Sequence, residues 1–251
     1  MEQPTRADEF DTPWKQVLHA YFPQALAHFF PEAHADIDWA AGHDALDTEL
    51  QALRPQADTG RRYVDKLVRV RRRDGTPVQV LVHVEVQAAR VTDFARRMFE
   101  YHTRLMHTYA EPVASFAILA DLEPGWRPAD YQHALWGCRA RFEFPTVKLL
   151  DLAPGDPANP FAVVVDAYLR ARRTRRDPQA RLDAKLTLAK SLYDRGWRRD
   201  DVLNLYTFID WTLRLPLDLA GRFHHDLAKF EEERRMPYVS TAERIGIEKG
   251  I

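Results

Sequence analysis

The stretch YVDKLVRVRRRDGTPVQVLVHVEVQ, residues 63–87, decides the fold. Apolar and polar residues alternate at period two over residues 63–72 and again over residues 77–87, which is the pattern of β-strands with two different faces. The letters RDGT, residues 73–76, separate the two runs and are typical of a tight turn. The stretch therefore predicts an antiparallel β-hairpin.

The second strand of this hairpin carries polar side chains on one of its faces. The valines at alternate positions from 78 to 86 share the opposite face and are predicted to be core. The polar face carries Gln79, Leu81, His83, Glu85 and Gln87. Two interpretations are open: this face is solvated, as in many antiparallel sheets, or it belongs to a functional site.

The length of the turn decides whether Asp65 on the first strand meets Glu85 on the second. A two-residue turn sends the two acids to opposite faces of the hairpin. A three-residue loop that pairs Arg72 with Thr76 places Asp65 opposite His83, with Glu85 one diagonal step away. In the second arrangement, which we predict, both carboxylates can bind one cation. Aspartate is a poor strand residue, which favours a functional role for Asp65.

The segments that flank the hairpin predict an α/β fold with a mixed sheet. Residues 12–54 indicate short helices with aromatic anchors. Residues 92–110 repeat apolar residues at three- and four-residue steps, which indicates an amphipathic helix. Residues 113–121 form an apolar run typical of a strand covered on both sides. Residues 139–152 predict a further strand with a bend at Pro145.

After Pro160 the sequence is predicted to be helical almost to its end. Four segments of helical length are separated by Pro178, Gly196 and Pro216. We therefore predict two domains. The first, residues 1–155, is a sheet core with N-terminal helices, and the second, residues 156–251, is an all-helical C-terminal region.

Composition narrows the classes of protein that fit. The 251 residues are 45% hydrophobic and 29% charged, which is enough apolar material for a sizeable core. There is no apolar run of about 18 residues and the first residues are polar, so we expect no membrane span, no signal peptide and a cytoplasmic location. Cys138 is the only cysteine, which excludes an intrachain disulfide and a thiolate zinc site. Any metal is expected on oxygen or imidazole ligands.

Arginines form two clusters in a chain whose formal net charge is −1. The clusters are Arg69, Arg71, Arg72 and Arg73, and Arg170, Arg172, Arg173, Arg175 and Arg176. A solvated face and a track for nucleic-acid phosphates are both consistent with such clusters. Arg97 and Arg104, beside Tyr101 in the predicted amphipathic helix, are further candidates for phosphate contacts.

Acidic and polar side chains that converge on neighbouring strands suit magnesium-dependent phosphodiester hydrolysis. A hard cation takes carboxylate oxygens and water, neutralises a phosphate oxygen and lowers the pKa of a bound water molecule. Asp65, Glu85 and Gln87 are the candidate residues. His83 shares their face, and both a metal or phosphate contact and a local hydrogen bond are open for it.

The order of these features resembles the PD-(D/E)XK nuclease superfamily: Asp65, a hairpin, Glu85-Val86-Gln87, an amphipathic helix and an apolar strand. Longer segments resemble, more narrowly, the recombination-promoting nuclease or putative transposase family. They are FFPEAHADIDW, DTELQAL, YVDKLVRV, HVEVQ, RMFEYH, NPFAVVV, LYDRGW, FIDW and RMPYVSTAERIGIEKG. The resemblance covers nearly the whole chain and implies a restriction-endonuclease-like core, in which a mixed sheet is flanked by helices.

The resemblance also implies roles for individual residues. Asp65 and Glu85 match the acids that bind the metal. Glu49 is the best match to a helical glutamate that completes such sites, with Asp44 and Asp47 as competitors. The implied cofactor is Mg²⁺, with Mn²⁺ as the alternative, and the implied partner is DNA.

Gln87 stands where the superfamily most often has lysine. Glutamine can position a water molecule but cannot act as an acid. The leading hypothesis is a metal-dependent DNA endonuclease, active in DNA recombination or transposition, in which Gln87 places the attacking water. The rival is a non-catalytic DNA-binding or assembly module that keeps the nuclease fold, and a third hypothesis is cleavage of structured RNA.

The last residues, ERIGIEKGI at 243–251, repeat isoleucine and glycine at four-residue spacing. Two interpretations are open: a helical tail through which copies of the chain associate, or a frayed terminus. Self-association as a homo-oligomer is therefore a hypothesis that the sequence raises.

Overall fold

The computed structural model describes residues 8–47, 63–73, 79–236 and 238–239. The chain divides into two compact units, Met1–Asp151 and Leu152–Ile251. The predicted boundary, after residue 155, lies close to this division. The first unit contains a sheet and helices, and the described part of the second is helical.

Three helices open the described part of the first unit. They are α1 Asp8–Ala20, α2 Phe22–Phe29 and α3 Pro31–Asp36. Pro23 and Pro31 lie in first helical turns, where the missing N–H has no helical acceptor to lose. Most of the predicted aromatic anchors are buried: Trp14, Tyr21, Phe22, Phe29 and Phe30.

A mixed sheet of five strands forms the centre of this unit, as predicted. The strands are β1 Asp44–Ala45, β2 Tyr63–Arg71, β3 Gln79–Gln87, β4 Val113–Leu119 and β7 Thr146–Lys148, in the order β1-β2-β3-β4-β7. Strands β1, β2 and β3 are antiparallel, whereas β3, β4 and β7 are parallel. Helix α4, Phe94–Tyr109, connects β3 to its parallel neighbour β4.

The register of the β2–β3 hairpin differs from the predicted one by two residues. Asp65 lies directly opposite Glu85, and His83 lies opposite Leu67. The connection itself, residues 74–78, lies outside the described residues. The residues just before the connection pair with the segment at the end of α3. Arg72 forms a bridge with Ile37, and the Arg73 N–H donates to the Asp36 carbonyl at 2.8 Å. This contact with a distant segment is invisible in the local pattern that suggested a three-residue loop.

Both faces of β3 are buried, so the interpretation of a solvated polar face is wrong. Helix α4 covers the face that carries the polar residues. Its apolar residues join two core clusters, one with Phe94, Met98, Ala117, Leu119 and Phe144, and one with Leu67, Leu81 and Leu105. His83, Glu85 and Gln87 are consequently among the most deeply buried polar residues of the unit.

A second hairpin, which the sequence analysis did not predict, stands between β4 and β7. It consists of β5 Asp130–Leu135 and β6 Cys138–Glu143. Trp136 and Gly137 at its tip both have positive φ, the backbone of a two-residue hairpin turn. The base of the hairpin packs on α4, where Tyr131 stacks on Phe99 with ring centroids 5.0 Å apart. The predicted strand over 139–152 is thus two strands, β6 and β7, separated at Pro145.

The described part of the second unit is all-helical, as predicted. Its long helices are α5 Pro160–Arg173, α6 Pro178–Ser191, α7 Arg199–Thr212 and α8 Leu217–Arg234. Asn159 and Asp177 cap the first two of these helices through their side chains. In the described part of both units, no helix combines the length and the apolar character needed to cross a membrane. The predicted association tail, 243–251, lies outside the described residues.

Candidate functional site

Three polar side chains meet under helix α4, in the middle of the sheet. The Nη2 atom of Arg97 donates a short hydrogen bond to Glu85 Oε1 and a second, of 3.0 Å, to Gln87 Oε1. Glu85 is fully buried and Arg97 is only 4% exposed. One cationic group is therefore shared by two oxygen atoms that converge from a single strand. We call Glu85, Gln87 and Arg97 the central cluster.

Local structure explains why these residues meet. Glu85 and Gln87 are two positions apart on β3 and so point to the same face. Arg97 lies three residues after Phe94 and four before Tyr101, which puts it on the stripe of α4 that faces the sheet. Its guanidinium carbon lies 5.3 Å from the centre of the Phe94 ring.

The carboxamide of Gln87 has a defined orientation. Its Nε2 donates to the carbonyl of Ala89 at 2.7 Å, just beyond the end of β3. The amide nitrogen is thereby directed toward the backbone, and the amide oxygen is left to accept from Arg97. In this position Gln87 contributes an oxygen to the cluster rather than the positive charge of a lysine.

The burial of the Glu85 carboxylate explains why the central cluster contains an arginine. An isolated carboxylate in a buried position costs several kcal/mol, so a buried charge is paired. Arg97 supplies the opposite charge to Glu85. Arg97, a candidate for contacts with DNA phosphates, is thus buried, and its Nη2 is engaged by Glu85 and Gln87. An arginine on the apolar stripe of an amphipathic helix is the signal that could have predicted a buried partner.

His83, on β3, and His102, on α4, face different surroundings. The fully buried His83 ring meets Tyr101 edge to face, with centroids 6.0 Å apart. His102, on α4, has Nδ1 3.1 Å from Ser115 Oγ and its ring 4.5 Å from that of Phe142. Burial lowers the pKa of the His102 imidazole, which favours its neutral form.

The other predicted metal ligands are only partly described. Asp65 is the direct cross-strand partner of Glu85, a closer placement than the predicted diagonal one. Glu49 lies outside the described residues. Its competitor Asp47 accepts from Lys66 Nζ at 2.5 Å and from the Leu67 N–H at 3.2 Å, so its carboxylate is engaged by β2.

The oxygen donors of the central cluster suit a hard divalent cation. Glu85 Oε1 and Gln87 Oε1 already converge on one positive group, and carboxylate and amide oxygens are the ligands that Mg²⁺ accepts. Such a cation would compete with Arg97 for the same two atoms. Among the side chains that the structure describes, which exclude those of Asp65 and Glu49, no three His, Cys, Asp or Glu residues gather as metal ligands.

A second buried ion pair lies at the carboxyl ends of the parallel strands. Lys148 Nζ donates to both carboxylate oxygens of Asp121 at 2.7 Å, and also to the carbonyls of Glu123 and Trp126 at 2.6 and 3.1 Å. Asp121 Oδ1 accepts in addition from the Glu123 N–H at 2.8 Å. We call Lys148 and Asp121 the edge pair. Its contacts hold the loop after β4.

Comparison of the chain with protein-family profiles, curated proteins and solved structures finds no match. The assignment of chemistry to the central cluster therefore rests on its geometry and on the motifs quoted above.

Proposed function

We propose that the first unit is a metal-dependent DNA endonuclease that hydrolyses phosphodiester bonds, with DNA recombination or transposition as its setting. The observation that carries this proposal is the central cluster. Two side-chain oxygens, of Glu85 and Gln87, converge on the guanidinium of Arg97 in the middle of a mixed sheet, and Asp65 is the cross-strand partner of Glu85.

Each residue has a separate task in this proposal. Asp65 and Glu85 hold Mg²⁺ or Mn²⁺, with Glu49 as a third ligand. When bound, the cation neutralises a phosphate oxygen and lowers the pKa of a water molecule. Gln87, held by the Ala89 carbonyl, orients that water. Arg97 is a positioning residue that keeps the side chains of Glu85 and Gln87 together until the cation replaces it at Glu85.

One observation favours a second candidate, a non-catalytic DNA-binding or assembly module that retains the fold. Glu85 is fully buried, and Arg97 already neutralises its charge. In this alternative the central cluster is a structural ion pair. The two candidates differ in whether a divalent cation and a phosphate reach Glu85.

Plasmid nicking separates the two candidates. Supercoiled DNA is incubated with the wild-type chain and with Glu85→Gln, Asp65→Asn and Glu100→Gln, each in Mg²⁺, in Mn²⁺ and in EDTA. Glu100 pairs with Arg96 on the same helix α4, so Glu100→Gln is the matched control. We expect cation-dependent nicking that falls about 10²-fold in Glu85→Gln and Asp65→Asn and is unchanged in Glu100→Gln, because several kcal/mol of charge stabilisation are lost.

Nicking in EDTA, or nicking that survives Glu85→Gln, would reject the proposed site. A gel shift of DNA without cleavage in either cation would favour the non-catalytic module. Cleavage of a structured RNA but not of the plasmid would move the substrate to RNA.

A cytoplasmic location and self-association through the C-terminal tail remain predictions that accompany this proposal. Light scattering on the full chain and on a chain that ends at residue 239 tests the second. We expect the molar mass of the shortened chain to fall to that of a monomer.

A further inference from the structure

The second unit gathers exposed arginines at one end. Four of the five residues from 172 to 176 are arginines, at the end of α5 and in the turn that follows it. All four side chains are exposed. Because the formal net charge of the whole chain is −1, this is a local concentration of positive charge.

The turn between α7 and α8 lies beside this cluster. Arg181, on α6, bridges the two places: its Nη2 donates to the Ala171 carbonyl at 3.0 Å and its Nη1 to the Arg214 carbonyl at 3.4 Å. Arg222, on α8, donates from Nη1 to Gln179 at 3.3 Å. Two further exposed arginines, 214 and 222, are thus brought to the end of the unit that carries residues 172–176. We call these six exposed arginines the basic end.

Acidic side chains neutralise this surface only in part. Asp177 lies in the same turn, but its carboxylate accepts the Ala180 N–H at 2.9 Å and caps α6. Asp218, in the first turn of α8, is exposed. In the described part of the chain, no carboxylate forms an ion pair with Arg172, Arg175 or Arg176. Other arginines of the unit do have such partners: Arg170 pairs with Asp166 and Arg234 with Asp194.

We propose that the basic end binds the phosphate backbone of DNA. Guanidinium groups present a planar fork that matches phosphate oxygens, and the charge contributes without reading base sequence. A lipid surface fits less well, because membrane docking needs an apolar face as well as positive charge. In the described part of the second unit, Leu217 is the only large hydrophobic side chain that is exposed. The choice of DNA among polyanions rests on the proposed function, but the residues are different ones.

The test compares two variants that remove the same charge from the second unit. One variant replaces Arg172, Arg173, Arg175 and Arg176 by glutamine. The control replaces Arg198, Arg199, Arg234 and Arg235 by glutamine. Arg199 begins α7, about 21 Å along that helix from the turn that carries Arg214, at 1.5 Å per residue. Fluorescence anisotropy of a short labelled DNA duplex is measured in EDTA over a range of salt concentrations, with the full chain.

We expect the dissociation constant to rise about tenfold or more in the basic-end variant and to change little in the control. The slope of log K against log salt should fall by about one for each arginine that contacts a phosphate. Single substitutions, Arg172→Gln and Arg176→Gln, give a graded series, and circular dichroism establishes that each variant is folded.

Equal losses in the two variants, or no loss in either, would overturn the inference. Binding to phosphatidylserine vesicles that depends on the basic end, without binding to the duplex, would overturn it as well. EDTA removes cleavage from the measurement, so DNA binding through the basic end with no nicking in Mg²⁺ or Mn²⁺ would count against the proposed function alone.

Discussion

In the described part of the first unit, the edge pair and the central cluster are both buried ion pairs, but their hydrogen bonds go to different kinds of group. In the edge pair, Lys148 contacts two backbone carbonyls besides Asp121, so the cation fastens a loop. In the central cluster, Arg97 Nη2 donates to two side chains of β3, those of Glu85 and Gln87. The contacts of Lys148 give the edge pair a structural role, which is to hold the loop after β4 in place. In the central cluster, the side-chain oxygens that accept from Arg97 are of the kind that also binds a divalent metal cation.

This difference matters because a buried ion pair is weak evidence for stability. Removal of charges from water often offsets their attraction, and an apolar pair of similar volume is frequently as stable or more stable. The loop contacts give a reason for the edge pair. For the central cluster we infer a functional reason. Two predictions test this contrast, and three further ones concern weaker buried polar contacts.

The largest expected effect is the loss of one partner of the edge pair. Lys148→Met leaves Asp121 as a buried charge without its cation and leaves the Trp126 carbonyl without its donor, while the Glu123 carbonyl keeps only the Trp126 N–H. We expect the free energy of unfolding to fall by about 3–5 kcal/mol, measured by urea denaturation. Arg127→Met is the control, because the side chains of Arg127 and Asp151 form an ion pair that is about half exposed. A loss no larger than that of the control would contradict the structural task of the edge pair.

Double substitutions separate the two pairs. Arg97→Met alone should lower the free energy of unfolding by about 3 kcal/mol, and Glu85→Leu in the same chain should recover most of it. The corresponding edge variant, Lys148→Met with Asp121→Leu, should recover less. The Trp126 carbonyl still lacks a donor there, which costs about 1–3 kcal/mol, and the Glu123 carbonyl keeps only the 3.2 Å bond from the Trp126 N–H. Equal recovery of the unfolding free energy in the two double variants would contradict the proposed difference between the edge pair and the central cluster.

The second unit offers a buried carboxylate with a neutral partner. Glu231 accepts a short hydrogen bond from the Tyr193 hydroxyl and one of 2.7 Å from the Val239 N–H. Tyr193→Phe should lower the free energy of unfolding by about 1–2 kcal/mol at neutral pH. This loss of unfolding free energy is smaller than the loss expected for Lys148→Met, because the replacement of Tyr193 removes a neutral group and creates no unpaired charge.

Tyr193 should also make the free energy of unfolding depend on pH in the alkaline range. Burial, with the hydrogen bond to Glu231, raises the pKa of the Tyr193 phenol, so the folded state keeps its proton after the unfolded state has lost it. The contribution of the Tyr193 phenol to the free energy of unfolding is complete below about pH 10, the ordinary pKa of tyrosine, and is lost as the pH rises above that value. We expect the stability difference between wild type and Tyr193→Phe to shrink above about pH 10, as measured by urea denaturation. A constant difference would contradict the raised pKa.

The smallest effect is expected at His102, on the helix that carries Arg97. Burial lowers the pKa of His102, so its contribution to stability is present above about pH 6.5 and is lost as the pH falls through the folded value. His102→Gln should therefore make the unfolding free energy less sensitive to acid below about pH 6.5. His133→Gln, on the exposed hairpin, is the control, and a similar response of the two variants would contradict the assignment.

Much of the first unit could be predicted from local patterns. The alternation over 63–87 predicts β2 and β3, and the apolar stripe over 92–110 predicts α4. The hairpin β5–β6 was missed, because its strands are mostly exposed and lack a continuous apolar face. Its turn at Trp136 and Gly137 is not one of the common asparagine-glycine or aspartate-glycine signals.

The candidate site was predicted in part. Glu85 and Gln87 were singled out from the strand pattern, and the cross-strand position of Asp65 was predicted to within two residues of register. The contact of Arg97 with Glu85 and Gln87 was not predicted, since a sequence shows that an arginine is on a helix but not what that helix covers.

The sequence by itself determined most of the elements other than the β5–β6 hairpin, because periodicity, capping residues and proline positions act within a few residues of chain. It also determined that β3 has one valine face and one polar face. Only the tertiary structure decided that the polar face is buried, that Asp65 stands opposite Glu85, and that Arg97 joins Glu85 to Gln87. These features depend on packing between segments that are distant in the chain, and local propensity carries no information about such contacts.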